Sequence, residues 1–398
     1  MATADELIQS AFERLALTPG YTERPDQQQL ALLISDCIAG ASTGAFEAPT
    51  GLGKSLATLI PAIAHAIASG KRTVIATYTN VLAEQYWRND LPLALSLFPD
   101  AAVKSQFLIG RQRYACLAAI GKDSPNALKE FGIFAKLGIE TEFRQWVRKP
   151  AREMTQIWQS IAAPPVCPGR LCPYYHDCYY YKARRGAEKA EIVITNHSVV
   201  LQDALLRRAS EGDLTMLGEY DFLIIDEAHD FTQAAMNSLE FELSESKLGL
   251  LSGIAQRMHA AILPLAAEAR AEEGWTGMCD AFRSCLERCA VQLKAYTLSH
   301  GQGILAASPD IVWSHPQVKN ASNSAGLDAA RELTSEIGDL TLQFVRGVEE
   351  VLKSWVSAEA IDKAKADAAR DAVGNYSMYL REFGLGCQSM FSQVEEPL

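Results

Sequence analysis

The stretch that most narrows what this chain can fold into is Glu47–Ser55, EAPTGLGKS. With Ala48 in the first small-residue slot it reads A-x-x-x-x-G-K-S, the pattern of a loop that wraps phosphates. The run Ala48, Pro49, Thr50, Gly51, Leu52, Gly53, Lys54, Ser55 suits phosphate binding, because small residues let backbone N–H groups close on the anion, Lys54 supplies a point charge, and the Ser55 hydroxyl can ligate Mg2+. The apolar segment LATLIPAIAHAIA follows at helical spacing, which points a helix N-terminus at the same anion. Pro61 lies inside it and is expected to kink the helix or loosen one turn. A Gly-rich turn before an ordinary helix is the plain alternative, and the helical context argues against it.

A chain of 398 residues is long for one hydrophobic core, so two to three domains are expected. With 48% hydrophobic and 21% charged residues it has a globular composition. The acidic start, MATADELIQSAFERL, lacks the apolar core of a secretory signal, and the longest apolar run is too interrupted to span a bilayer. No membrane partner and a cytoplasmic location follow as expectations. The net charge of −11 is unevenly spread: Lys104 to Ala190 holds 15 Lys and Arg against 7 Asp and Glu, one basic segment in an acidic chain.

Residues 1–20 predict an amphipathic helix, and YTERPDQQQL then places Arg24 and Gln27 in an R-x-x-Q arrangement ahead of the phosphate loop. A Gln amide both donates and accepts, matching the paired groups on an adenine edge; a polar cluster before a helix is the alternative. TVIAT (73–77) predicts a buried strand leading into a helix at YTNVLAEQYW, and EIVITN (191–196) and DFLIIDEAHD (221–230) predict two more strands, a parallel βαβ layout. The interval between Phe107 and Lys189 reads as inserted. At the end of FLIID, Asp226 is placed to hold Mg2+ and Glu227 to orient the attacking water, with His229 as a coupling residue. Beyond Asp230 the sequence predicts helices, broken near Ser299–Gly303 and Ser308–Asn323. There is no internal repeat and no low-complexity tract.

Within the insert, Cys116 is followed at a distance by Cys167, Cys172 and Cys178, spaced C-x4-C-x5-C. Four thiolates can hold an iron-sulfur cube, one per iron. Zinc also accepts four, although its structural sites favour tighter C-x2-4-C pairs. Tyr114, Tyr174, Tyr175, Tyr179, Tyr180 and Tyr181 are interleaved with Arg111, Arg113, Arg170, Lys182, Arg184 and Arg185. Aromatic faces stack bases and cations track phosphates, so this composition suits a single strand of nucleic acid, with some tyrosines packing the insert itself. Cys279, Cys285 and Cys289 read as small helix-core residues, and Cys37 and Cys387 receive no role.

These strings together, RPDQ, EAPTGLGKS, TNVLAEQ, GRQRYAC, the C-x4-C-x5-C run with YYYKARR, ITNHSVV and IIDEAHD, resemble the DinG/XPD-like iron-sulfur helicases of superfamily 2, the bacterial DinG branch above all, over residues 21 to 230. The resemblance implies an ATP-driven motor moving 5'-to-3' on single-stranded or forked DNA. Its parts would be a RecA-like α/β lobe with a parallel sheet (1–106 and 191–232), a 4Fe-4S insert (107–190) and a mostly helical arch (233–398). It also implies that Gln27 contacts adenine, that Lys54, Ser55, Asp226 and Glu227 serve ATP and Mg2+, and that Cys116, Cys167, Cys172 and Cys178 hold the cluster. Asn196 and His197 match the family's N-H motif without a derived role.

The pattern departs from the family in lacking an S-A-T motif after DEAH and a C-terminal Q-x-x-G-R motif, the marks of a second RecA-like lobe. The reading is therefore a truncated or split DinG-type helicase that binds ATP, Mg2+ and DNA, its second lobe expected from another chain. The alternatives are a non-catalytic, nucleotide-gated or redox-sensing DNA-binding module, and a CRISPR-associated DinG-like helicase.

Overall fold

Three apolar runs and one short mixed one build a four-stranded parallel sheet in the order β2-β3-β1-β4. The strands are β1 (Thr73–Thr77), β2 (Ser105–Phe107), β3 (Ile192–Asn196) and β4 (Phe222–Ile225). β1 and β3 are buried along their whole length, as continuous apolar runs in a covered parallel sheet should be. The register pairs Thr77 with Asn196 and Ala76 with Ile225. Asn196 and Asp226 therefore leave the sheet at the same, carboxyl-terminal edge, where open α/β sheets bind ligands. The sequence reading lacked β2, which is only three residues long.

The computed structural model describes residues 2–121, 124–147, 149–209, 215–300 and 324–390. Two units divide it: Met1–Pro165 with Pro173–Glu240, and Val166–Cys172 with Phe241–Leu398. In the first, α1 (Ala4–Ala16) starts at a reciprocal cap between Thr3 and Glu6 and buries Ile8, Ala11, Phe12 and Leu15. This helix and α2 (Pro25–Ala39) pack on α3 (Lys54–Ser69). Helix α3 is continuous through Pro61, which is buried; the missing N–H removes one intrahelical bond without ending the helix. After β1 the chain forms α4 (Asn80–Gln85), a π-helical turn at Tyr86–Asp90, and α5 (Leu91–Ser96).

Between β2 and β3 lie α6 (Asn126–Phe134), α7 (Glu140–Trp146), α8 (Ala151–Ile161) and α9 (Tyr179–Ala187). Phe131, Phe143 and Trp158 from these helices pack against one another in the same core as the sheet. α10 (His197–Ala209) follows β3, and α11 (Phe231–Leu239) follows β4.

The second unit is helical where described, as its sequence predicts: α12 (Glu245–Glu268), α13 (Glu272–His300), α14 (Ser324–Ser357) and α15 (Lys363–Ser389). Positions 301–323, which take in most of the two predicted breaks, lie outside the described residues. α12 and α14 each pack on both α13 and α15. Gly338 and Gly384 let α14 and α15 approach closely, since a Cβ on Gly338 would stand 2.9 Å from the Gly384 carbonyl oxygen. Cys279, Cys289 and Cys387 are buried in this core, and burial pushes their thiols up to about 12, 11 and 12. No helix among the described residues is long and apolar enough to cross a membrane.

Candidate nucleotide site

The phosphate loop is built from both of its ends. Gly53 sits at φ +87, a left-handed conformation that L side chains rarely adopt, and a Cβ there would stand 2.1 Å from the Gln27 amide nitrogen. It caps α3 with no side-chain acceptor, so the first N–H groups of that helix are open to an anion. Arg24 donates to the Gly51 carbonyl (2.6 Å) and Gln27 to the Gly53 carbonyl (2.7 Å). The Gln27 oxygen accepts from the Tyr21 hydroxyl at 2.7 Å, and the residue is 1% exposed. The R-x-x-Q pair thus grips the loop's backbone from outside, and both ends of the Gln27 amide are engaged inside the protein.

Opposite the loop stands the acid box. Lys54 Nζ donates to Glu227 Oε1 at 3.1 Å, a half-buried ion pair. Glu227 adopts φ +53 without being glycine, a strained conformation of the kind found at functional sites. Asp226 is anchored by its N–H to the Ala76 carbonyl (2.8 Å), and its Oδ2 accepts from the Tyr86 hydroxyl at 2.9 Å. His229 is mostly exposed, with Nδ1 3.6 Å from Glu227 and Nε2 3.4 Å from Asp230.

The N-H pair, for which the sequence offered no role, ties the strand ends together. Asn196 donates to Asn80 Oδ1 (2.6 Å), linking the end of β3 to the helix after β1, and accepts from the Val199 N–H (2.9 Å) at the start of α10. His197 Nε2 lies 2.8 Å from the Asp226 carbonyl oxygen, which can only accept, so that nitrogen carries the proton. Burial lowers the His197 pKa, favouring neutral imidazole.

The donor chemistry fits Mg2+. A carboxylate and a hydroxyl are hard oxygen ligands, and Asp226 keeps Oδ1 in reserve beyond its bond to Tyr86. Sequence reasoning missed Tyr86 and Asn80; their only trace is polar spacing within TNVLAEQYWRND.

The four insert cysteines are half-buried, and two of them stand at element ends: Cys172 closes a 3-10 turn and Cys178 caps α9. That setting suits thiolate ligands better than the apolar helix positions of Cys279 and Cys289. Cys116 and Cys178 belong to the first unit, Cys167 and Cys172 to the second. Among the described residues no group of three or more His, Cys, Asp or Glu is arranged to hold a metal ion. Of the tyrosines, Tyr114, Tyr179 and Tyr180 are buried, and burial pushes Tyr179 up to about 12. Arg111 stacks over Tyr180 (5.1 Å) and Arg185 over Tyr175 (5.0 Å), while Tyr174 is exposed. Much of the Tyr/Arg interleaving therefore packs the insert.

A phosphate loop facing an acid box at the carboxyl edge of a parallel sheet is consistent with a RecA-like helicase domain. The DEAD_2 family model matches residues 169–248, which include Asn196, His197 and the acid box. The ATP-dependent DNA helicase DinG of Escherichia coli (strain K12) is 30% identical over 250 residues, 56% of this chain and 34% of the relative. DinG of Salmonella typhimurium gives the same figures, and the helicase YoaA of Escherichia coli (strain K12) is 30% identical over 250 residues, 58% of this chain and 36% of that protein. The chain is DinG-like, and it spans about a third of the length of the curated relatives it matches.

Proposed function

We propose that this chain carries the ATP-binding part of a DinG-type DNA helicase that moves 5'-to-3' on single-stranded or forked DNA. The observation that carries this reading is the Lys54–Glu227 ion pair, which brings the phosphate loop against the acid box. ATP phosphates would draw Lys54 away from Glu227, freeing that carboxylate to orient the attacking water. Ser55 and Asp226 would hold Mg2+, which neutralises charge on the β- and γ-phosphate oxygens. Arg24 and Gln27 keep the loop's carbonyls fixed while its N–H groups face the anion. Adenine contact by Gln27 would use whatever donor and acceptor capacity its bonds to Tyr21 and Gly53 leave. His229, exposed beside Glu227 and Asp230, is assigned the coupling of site closure to DNA.

Cys116, Cys167, Cys172 and Cys178 are proposed as ligands of a 4Fe-4S cluster, one thiolate for each iron. Support comes from four half-buried thiols in a basic, tyrosine-rich insert. DNA contact is assigned to the exposed part of that insert, Tyr174 with Lys182 and its neighbours.

Fluorescence anisotropy with labelled single-stranded DNA, over a salt series and with and without ATP and Mg2+, tests the reading. Salt-sensitive binding whose affinity changes with nucleotide supports it. Absence of DNA binding at low salt, with no response to ATP, overturns it.

A further inference from the structure

The π-helical turn Tyr86–Asp90 lies beside the nucleotide site, and nothing in the phosphate loop or acid box requires it. Such turns insert one extra residue into a helix and recur at functional sites because they re-aim side chains. Tyr86 is the first residue of this turn. The Tyr86 side chain is buried; its hydroxyl lies 2.9 Å from Asp226 Oδ2 and 3.4 Å from Thr58 Oγ1, and Thr58 donates to the Ser55 carbonyl oxygen at 2.9 Å.

We infer that this turn positions one Mg2+ ligand proposed for the site: its Tyr86 orients the Asp226 carboxylate. The inference rests on the nucleotide-site reading above and adds one residue to it. A carboxylate has two oxygens. Committing Oδ2 of Asp226 to the Tyr86 proton leaves Oδ1 to face a cation. Outer partners of this kind hold ligands in the geometry that an octahedral Mg2+ demands. Tyr86 does not touch the reacting phosphate, so it acts as a positioning residue.

The test compares wild type with Tyr86→Phe, which removes only a hydroxyl. Mn2+ binding is followed by electron paramagnetic resonance in the presence of ATP, and metal-free ATP affinity is measured separately. The expected result is a roughly 10- to 100-fold weaker Mn2+ affinity in the variant with metal-free ATP affinity unchanged. A general folding defect would move both quantities together. Mn2+ affinity equal to wild type in the variant, or a parallel loss of metal-free ATP binding, overturns the inference. If wild type itself binds no Mn2+–ATP, the nucleotide-site reading falls, and this inference with it.

Discussion

Lys54 and Glu227 stand 173 residues apart in the sequence and 3.1 Å apart in space. The lysine that would meet ATP phosphates is thus held, without nucleotide, by the carboxylate that would orient water. Each partner keeps the other from its later role until phosphates compete for the ammonium.

Glu227→Gln should therefore separate binding from turnover. Losing a half-exposed ion pair releases about 0.5–1 kcal/mol of competition, so ATP affinity should rise about two- to fivefold in an equilibrium titration. Hydrolysis should fall by about 100-fold or more, because the amide cannot accept the water's proton. Weaker ATP binding in the variant would show that the ion pair does not oppose the nucleotide.

Gln27→Ala tests the brace beneath the loop. It strips the Gly53 carbonyl and the Tyr21 hydroxyl of a buried partner, and each group left unsatisfied costs about 1–3 kcal/mol. Urea unfolding should show a loss of that order together with weaker ATP binding. An unchanged midpoint with lost adenine selectivity would return Gln27 to a purely base-reading role.

How much of this was legible beforehand follows from how local each signal is. The strands TVIAT, IVITN and FLII announce themselves as apolar runs, and the motifs fix where chemistry gathers. β2 escaped notice because three residues, two of them only half-buried, carry no pattern. Gln27 is visible as a motif residue, but its burial and its bond to Gly53 depend on α2 meeting the loop. Tyr86 and Asp226 meet across 140 positions, a contact that appears only once β1 and β4 are paired. The Tyr/Arg interleaving of the insert is plain in the sequence, whereas the burial of Tyr114, Tyr179 and Tyr180 is a property of packing.

Acid should loosen the first unit in a defined window. Burial lowers the pKa of His65, which bonds Ser35 beside Asp5, and of His197, which faces Asp226 and Asp230. Their ordinary value is 6.5, so between that pH and the lowered folded values the unfolded chain binds more protons. Stability contributed by the two neutral rings is full above about pH 6.5 and is lost as pH falls below it. Thermal unfolding from about pH 7.5 to 5.5 should show this slope, and His65→Gln with His197→Gln should flatten it.

The cluster assignment has its own readout. Protein purified without oxygen should be brown and contain iron, and Cys172→Ser should lose both while its circular dichroism keeps the α/β signature. Stoichiometric zinc in place of iron, or full iron in the variant, would contradict the four-cysteine set.

The nucleotide site is tested most directly by calorimetric titration of ATP with Mg2+ into wild type and Lys54→Ala. The account predicts saturable binding by wild type and a loss of about 10- to 100-fold in affinity when the ammonium is removed, the range expected for charge-assisted hydrogen bonds to phosphate. Equal affinity in the two proteins, or no binding by wild type, would contradict it.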